Sequence, residues 1–495
     1  AVIHNYARYL ATHAPDWPDK DWRGMRAMEN LPTLFWLYRR TGDEIVLQAA
    51  QSIQANCFDW THYFVDFPWD SEAILKNKIP HNWGPIGLTA HVVNVAMAVK
   101  YPGVWYQQSQ EDSFKEAVYE GLKNLDRHHG QVAGRFSGDE HISGTRPTQG
   151  TELCAVVELM YSLENLIQVL GDPILADRLE QLAYNANPGT CTDDYWAHQY
   201  DQQANQVLCT NAPREWSTNG DSSNLYGLEP NFGCCTANMH QGWPKFVAHM
   251  WMATPDRGLA AVTYGPSVVS AKVANGVDAR IEEKTLYPFQ GDIQLTISVS
   301  EPAAFPLYLR IPVWAEGAVI SIGDTRLKPQ PGSFCAVERE WKTGDVIQLT
   351  LPMVLRTETR YNDAVSILRG PLYYSLKIEE EWKEFKRHHD TLPVIDWEIY
   401  PKSAWNYGLI LDRTNPDLSI QVETQAIGEK PFATATAPVV LKVKGKKIPA
   451  WGLVNNSAGP APISPVKSEE AVEELTLIPY GSTRLRITEF PTISE

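Results

Sequence analysis

The chain has 495 residues, too many for one hydrophobic core, so two to three domains are expected. Its composition is globular, with 43% hydrophobic and 21% charged residues, and a formal net charge of −16 without a basic run argues against nucleic acid and anionic membranes as partners. Seven cysteines, scattered apart from one adjacent pair, do not make a disulfide framework and read as reduced thiols.

No uninterrupted apolar run of about 20 residues is present, so no membrane span is expected. The 17 tryptophans and 21 tyrosines suit the C–H faces of sugars, although large cores use the same side chains. Ala1 leads directly into a helical pattern, A-V-I-H-N-Y-A-R-Y-L, with no signal peptide. This start is expected of a processed or incomplete chain. A cytoplasmic location is favoured and a periplasmic one stays open. Oligomeric state is not legible.

From Ala1 to about Thr254 the periodicity is helical. M-E-N-L-P-T-L-F-W-L-Y-R-R-T-G-D predicts a helix ending at Gly42, with Arg39 and Arg40 in its last turn. Further helices are predicted from Glu44 to Asn56, Leu88 to Tyr101, Asp112 to His128, Glu152 to Gly171 and Pro173 to Ala186. Short Gly or Pro loops between them suggest stacked antiparallel hairpins. After Asp256 the pattern turns to short alternating runs such as D-I-Q-L-T-I-S-V-S and V-I-Q-L-T-L-P, which predict an antiparallel β-sandwich. The strands pause near Thr357 and resume at S-I-L-R-G-P-L-Y-Y-S-L. A long irregular stretch then runs through W-K-E-F-K-R-H-H-D, and a second sandwich is expected from about Trp405. The domain expectation is therefore 1–254 helical, 255–356 a β-sandwich, and 357–495 a second sandwich with an irregular insert.

Two motifs carry chemistry. T-Q-G-T-E-L-C offers Glu152 and Cys154, and N-F-G-C-C-T-A-N-M-H offers Cys234 and Cys235. One carboxylate and three thiols are a four-coordinate zinc set. Residues two apart, or adjacent, do not share a helix face, so both pairs are expected in irregular backbone at helix entrances, after Gly150 and Gly233. Residue chemistry alone leaves two readings open: a zinc site, or cysteines packed as ordinary buried thiols. His81 and Trp83, and His388, His389 and Asp390, match no trusted metal spacing and read as loop residues.

S-G-D-E-H-I-S-G, T-E-L-C and N-F-G-C-C, in that order in a helical half followed by β domains, resemble the β-L-arabinofuranosidase family of zinc/cysteine glycosidases, glycoside hydrolase family 127 and relatives. The resemblance implies an (α/α)6 barrel followed by β-sandwiches. Nine or ten helices fit before Thr254 where a barrel needs twelve, so either early helices are absent or some loops are helical. It further implies Zn2+ on Glu152, Cys154, Cys234 and Cys235, with Cys234 as nucleophile and Glu140 as general acid/base of a retaining hydrolase. His91, Glu180 and Tyr200 are implied to bind the sugar, and the partner is a glycoside or oligosaccharide. The short gap from Glu140 to Glu152 departs from the arabinofuranosidases and leaves the sugar and linkage open. Two rival classes remain: a non-catalytic zinc-stabilised carbohydrate-binding protein, and an (α/α)-barrel epimerase or lyase using His or Tyr bases.

Overall fold

A computed structural model of the chain describes residues 2–70, 85–216 and 219–494. His81 and Trp83 lie outside the described residues. The chain divides into two compact units. The first comprises Ala1–Gln131, Arg135–Gly171 and Glu215–Gly220; the second comprises Val132–Gly134, Asp172–Arg214 and Asp221–Glu495. Helices fill the N-terminal part and mostly antiparallel strands the remainder, with Leu259–Ala261 pairing parallel to Ala303–Ile311.

The first unit is helical. The Leu31–Thr41 helix ends as its sequence predicts, with Gly42 left-handed at φ +62° and its N–H donating to the Tyr38 carbonyl at 2.8 Å. Asp43 then starts the Glu44–Asn56 helix by accepting from the Ile45 N–H at 3.1 Å. Stretches without a strong pattern are also helical: Trp22–Arg26, Trp60–Val65 and Tyr101–Ser109. The Leu153–Leu170 helix is long and apolar enough to cross a membrane, yet most of it is buried within the protein. It packs on Val92–Ala98 and Tyr101–Ser109, and each fully buried leucine, such as Leu163, contributes about 1.5–3 kcal/mol.

One predicted helix is two. The run from Leu88 to Tyr101 breaks at His91 into Pro85–Ala90 and Val92–Ala98. His91 is extended (φ −61°, ψ 119°), because the chain here pairs with a distant segment. The Val92 N–H donates to the Glu140 carbonyl at 2.8 Å, and the Ile142 N–H to the Ala90 carbonyl at 2.9 Å. Gly138 permits this approach, since a Cβ there would lie 2.5 Å from the Val92 side chain.

The second unit holds the Pro173–Gln181 and Cys234–Ala248 helices and three main sheets. A six-stranded sheet has Asp292–Val299 between Val346–Thr350 and Val277–Thr285, with Ile293, Leu295 and Ile297 fully buried on one face. A four-stranded sheet carries Ala303–Ile311 between Ser333–Trp341 and Leu259–Ala261. The seven-stranded sheet includes Leu355–Thr359, so the strands do not pause at Thr357; this strand pairs antiparallel with Val365–Arg369. The stretch expected to be irregular is a hairpin, Glu380–Arg387 paired with Ile395–Pro401. Its first strand is exposed along nearly all its length, so it lacks the apolar alternation that marks a half-buried strand.

Candidate active site

In the first unit, the break at His91 and the Glu140 segment build one constellation. Ligand atoms of His91, Glu140 and Glu152 all lie within 4.8 Å of one another. His91 Nε2 is 3.2 Å from Glu140 Oε1, and its Nδ1 is 3.1 Å from the Asn94 N–H. A backbone N–H can only donate, so Nδ1 accepts and the ring proton sits on Nε2, directed at Glu140. Trp22 sets its edge against the His91 ring at 5.3 Å, and Arg26 lies over Trp22 while its Nε donates to Asn94 Oδ1 at 2.7 Å. Arg146 pairs with Glu215 at 3.6 Å.

Glu152 and Cys154 flank the start of the Leu153–Leu170 helix, as expected for a pair two residues apart. Glu152 takes the extended N-cap position, its N–H donating to the Gly138 carbonyl at 2.9 Å, while Cys154 is in the first turn. Both are buried.

In the second unit, Cys234 and Cys235 are the first two residues of the Cys234–Ala248 helix, after the N-cap Gly233. Cys235 is fully buried and Cys234 half-buried. Cys234 Sγ is in contact with the Tyr200 hydroxyl at 3.5 Å. His198, two residues before Tyr200, places Nε2 3.1 Å from Thr236 Oγ1, beside the same helix turn. Burial holds the His198 pKa below the ordinary value, although the nearby Cys234 opposes this. His198, Asn94 and Trp22 escaped the sequence reading. The H-Q-Y-D run around Tyr200 was the available signal for His198.

Glu180 has another setting. It is fully buried, with Oε1 2.6 Å from Arg310 Nη2 and accepting from the Tyr264 N–H at 3.0 Å, while Oε2 accepts from the Tyr287 hydroxyl. Arg310 also pairs with Asp177. Both Glu180 oxygens are thus engaged inside the protein. His388 is likewise paired, with Asp396 at 2.7 Å.

The first unit thus offers one carboxylate and one thiol, Glu152 and Cys154, and the second offers two thiols, Cys234 and Cys235. The set fits zinc by its chemistry: thiolates and one carboxylate are preferred zinc donors, and four suffice for a closed tetrahedral shell.

The domain family described as β-L-arabinofuranosidase, GH127 catalytic domain, matches residues 1–248, and the GH127 middle domain matches residues 258–353. Among solved structures, one described only as a glycoside hydrolase is similar with a TM-score of 0.68 at 16% identity, covering 97% of this chain and 77% of that one. A GH127 β-L-arabinofuranosidase from Geobacillus stearothermophilus T6 is similar with a TM-score of 0.62 at 18% identity, covering 94% and 71%. A second GH127 β-arabinofuranosidase gives 0.63 at 16% identity, covering 93% and 68%. No curated protein sequence matches the chain. With the catalytic-domain family spanning half of its residues, the chain belongs to the β-L-arabinofuranosidase family, GH127, and is a glycosidase.

Proposed function

We propose that this glycosidase is a retaining hydrolase acting on a β-L-arabinofuranoside-like substrate, with Cys234 as nucleophile and Glu140 as general acid/base. The observation that carries the reading is the His91–Glu140–Glu152 group, which sets a carboxylate suited to proton transfer against a carboxylate of the metal donor set. Glu152, Cys154, Cys234 and Cys235 would hold zinc. Bound zinc would keep a coordinated thiol deprotonated and thus nucleophilic.

Cys234 Sγ attacks the anomeric carbon as Glu140 gives its proton to the glycosidic oxygen; the C–S bond forms and the C–O bond breaks. Glu140 then takes a proton from water, the water oxygen attacks the same carbon, and Cys234 departs as thiolate. Two displacements retain the configuration. His91 orients Glu140 through its Nε2–H, and Tyr200 lies against Cys234. We assign Glu180 no sugar contact, because its carboxylate is occupied by Arg310, Tyr264 and Tyr287.

The test is Glu140→Gln assayed on p-nitrophenyl β-L-arabinofuranoside, with zinc measured per chain. The expected result is one zinc, an unchanged fold and a rate reduced about 10²–10⁴-fold, partly restored by azide, which needs no deprotonation. Near-wild-type turnover would move the role to another carboxylate, and a folded, reduced protein without zinc would overturn the metal assignment.

A further inference from the structure

We propose that a cleft in the second unit, between the Thr192–Ala197 turn and the Glu380–Pro401 hairpin, binds a neutral oligosaccharide. The cleft has a volume of about 620 Å³, within the range of small-ligand sites. None of the residues assigned to catalysis lines it. The inference rests on the chain being a glycosidase and not on the assignment of Cys234 or Glu140.

Three tryptophans line it, Trp196, Trp382 and Trp397. Trp196 is 50% exposed, a large apolar surface to leave in water. Its placement is built. Asp194 Oδ1 accepts from the Thr192 hydroxyl at 2.6 Å and from the Trp196 N–H at 3.1 Å, and Tyr195 between them adopts φ +58°. The Trp196 indole N–H donates to the Pro393 carbonyl of the hairpin at 2.9 Å. Trp382 is similarly fixed: its indole N–H donates to Glu380 Oε2 at 2.9 Å, and its ring packs on Tyr226 at 5.5 Å and on Trp397 at 6.2 Å. With both indole donors occupied, what remains for a ligand is ring surface. Rings already held in place lose little freedom when a ligand stacks on them.

The charges select the class. Three acidic groups (Asp193, Asp194, Glu380) and three basic ones (Lys377, Lys430, Arg484) line the cleft, so no single sign dominates. Arg484 is buried and committed to Asp193 at 2.7 Å, which leaves less positive charge for an anion. Aromatic surface beside mixed donors and acceptors suits a molecule with apolar C–H faces and many hydroxyls. A neutral sugar chain has both.

The experiment exposes the labelled full-length protein to immobilised neutral pentose and hexose oligosaccharides, with uronate oligomers as anionic controls. Binding to the best neutral oligosaccharide is then measured for wild type, Trp196→Ala, Trp196→Phe and Trp382→Ala. Capture of a neutral oligosaccharide is expected. Trp196→Ala should weaken it about tenfold, while Trp196→Phe, which keeps an aromatic face, should retain most of it. Hydrolysis of p-nitrophenyl β-L-arabinofuranoside should be the same in Trp196→Ala as in wild type. Capture of no neutral oligosaccharide, capture of uronates alone, or undiminished capture in both alanine variants overturns the proposal. If wild type fails to hydrolyse the p-nitrophenyl glycoside, the catalytic reading falls and the binding comparison still decides this one.

Discussion

At the scale of single residues, the backbone fixes the chemistry of His91. Because the Asn94 N–H occupies Nδ1, the neutral ring presents Nε2–H to Glu140 and cannot serve as a base from that side. His91→Ala should therefore lower turnover of p-nitrophenyl β-L-arabinofuranoside by about 10- to 100-fold through loss of orientation, with the fold retained. Complete inactivation with Cys234→Ser still active would favour the epimerase or lyase class. Adjacent cysteines also divide their roles by burial. Cys235 is fully enclosed, and Cys234 retains exposure beside Tyr200. An L-arabinofuranose-configured cyclophellitol should attach to Cys234, as read by mass spectrometry of the labelled peptide. A label on Cys235 reverses the assignment.

At the scale of elements, the segment carrying Glu140 depends on His129, the last residue of the Asp112–His129 helix. Its Nδ1 accepts from the Gly144 N–H at 3.0 Å, its Nε2–H donates to the Trp69 carbonyl at 2.6 Å, and its own carbonyl accepts from the Ser137 N–H at 2.8 Å. Burial lowers its pKa to about 3. The unfolded chain binds this proton below about pH 6.5, whereas the native state does so only near pH 3. The stabilisation is full above pH 6.5 and is lost as pH falls from there towards 3. His129→Gln, which cannot titrate, should be less stable than wild type at pH 8, with a gap in melting temperature that narrows by pH 5. A constant gap would show that His129 does not titrate on unfolding. Other elements show what sequence could convey. Gly42 and Asp43 act on their immediate neighbours, so that helix end and the next helix start were legible, as was the placement of Glu152–Cys154 and Cys234–Cys235 at helix entrances; Cys234 and Cys235 nevertheless lie in regular helix and not in the irregular backbone expected. The break at His91 was not, because its cause is pairing with residues 140–142, far along the chain. The Glu380–Pro401 hairpin was hidden by its exposed first strand, E-E-W-K-E-F-K-R. The resemblance implied that Glu180 binds the sugar; its pairing with Arg310, on a strand more than a hundred residues away, was not legible in the local sequence.

At the scale of the whole molecule, the second unit is closed by the end of the chain. The run from Tyr480 to Thr492 is buried throughout, and its backbone pairs with three separated places: Arg486 with Gln206, Phe490 with Val365, and Thr492 with Leu409. Arg486 is the centre of this closure. It stacks over the Tyr480 ring at 4.4 Å, donates to the Tyr480 hydroxyl at 2.8 Å, and reaches the carbonyls of Gly189 at 2.7 Å and Thr483 at 2.8 Å. The Gln206 side chain joins the same group by donating to the Arg484 carbonyl at 2.6 Å. These contacts brace the 189–206 segment that delivers His198 and Tyr200 to the Cys234 helix. Arg486→Met keeps much of the length and apolar stem but removes every side-chain donor, so several buried charge-assisted hydrogen bonds are lost, although the Gly189 and Thr483 carbonyls keep the Tyr226 hydroxyl at 3.3 Å and Arg484 at 3.2 Å. Each such loss costs about 1–3 kcal/mol, so a destabilisation of ~3 kcal/mol or more is expected. It should appear as a lower denaturant midpoint for the second unit. Because the brace leads to Tyr200, the variant should also lose activity below its melting temperature, and Arg486→Lys should restore only part of both, since an ammonium cannot reproduce the planar fork. A normal midpoint with normal activity would mean that the terminal segment is held by its strand pairing and apolar residues alone.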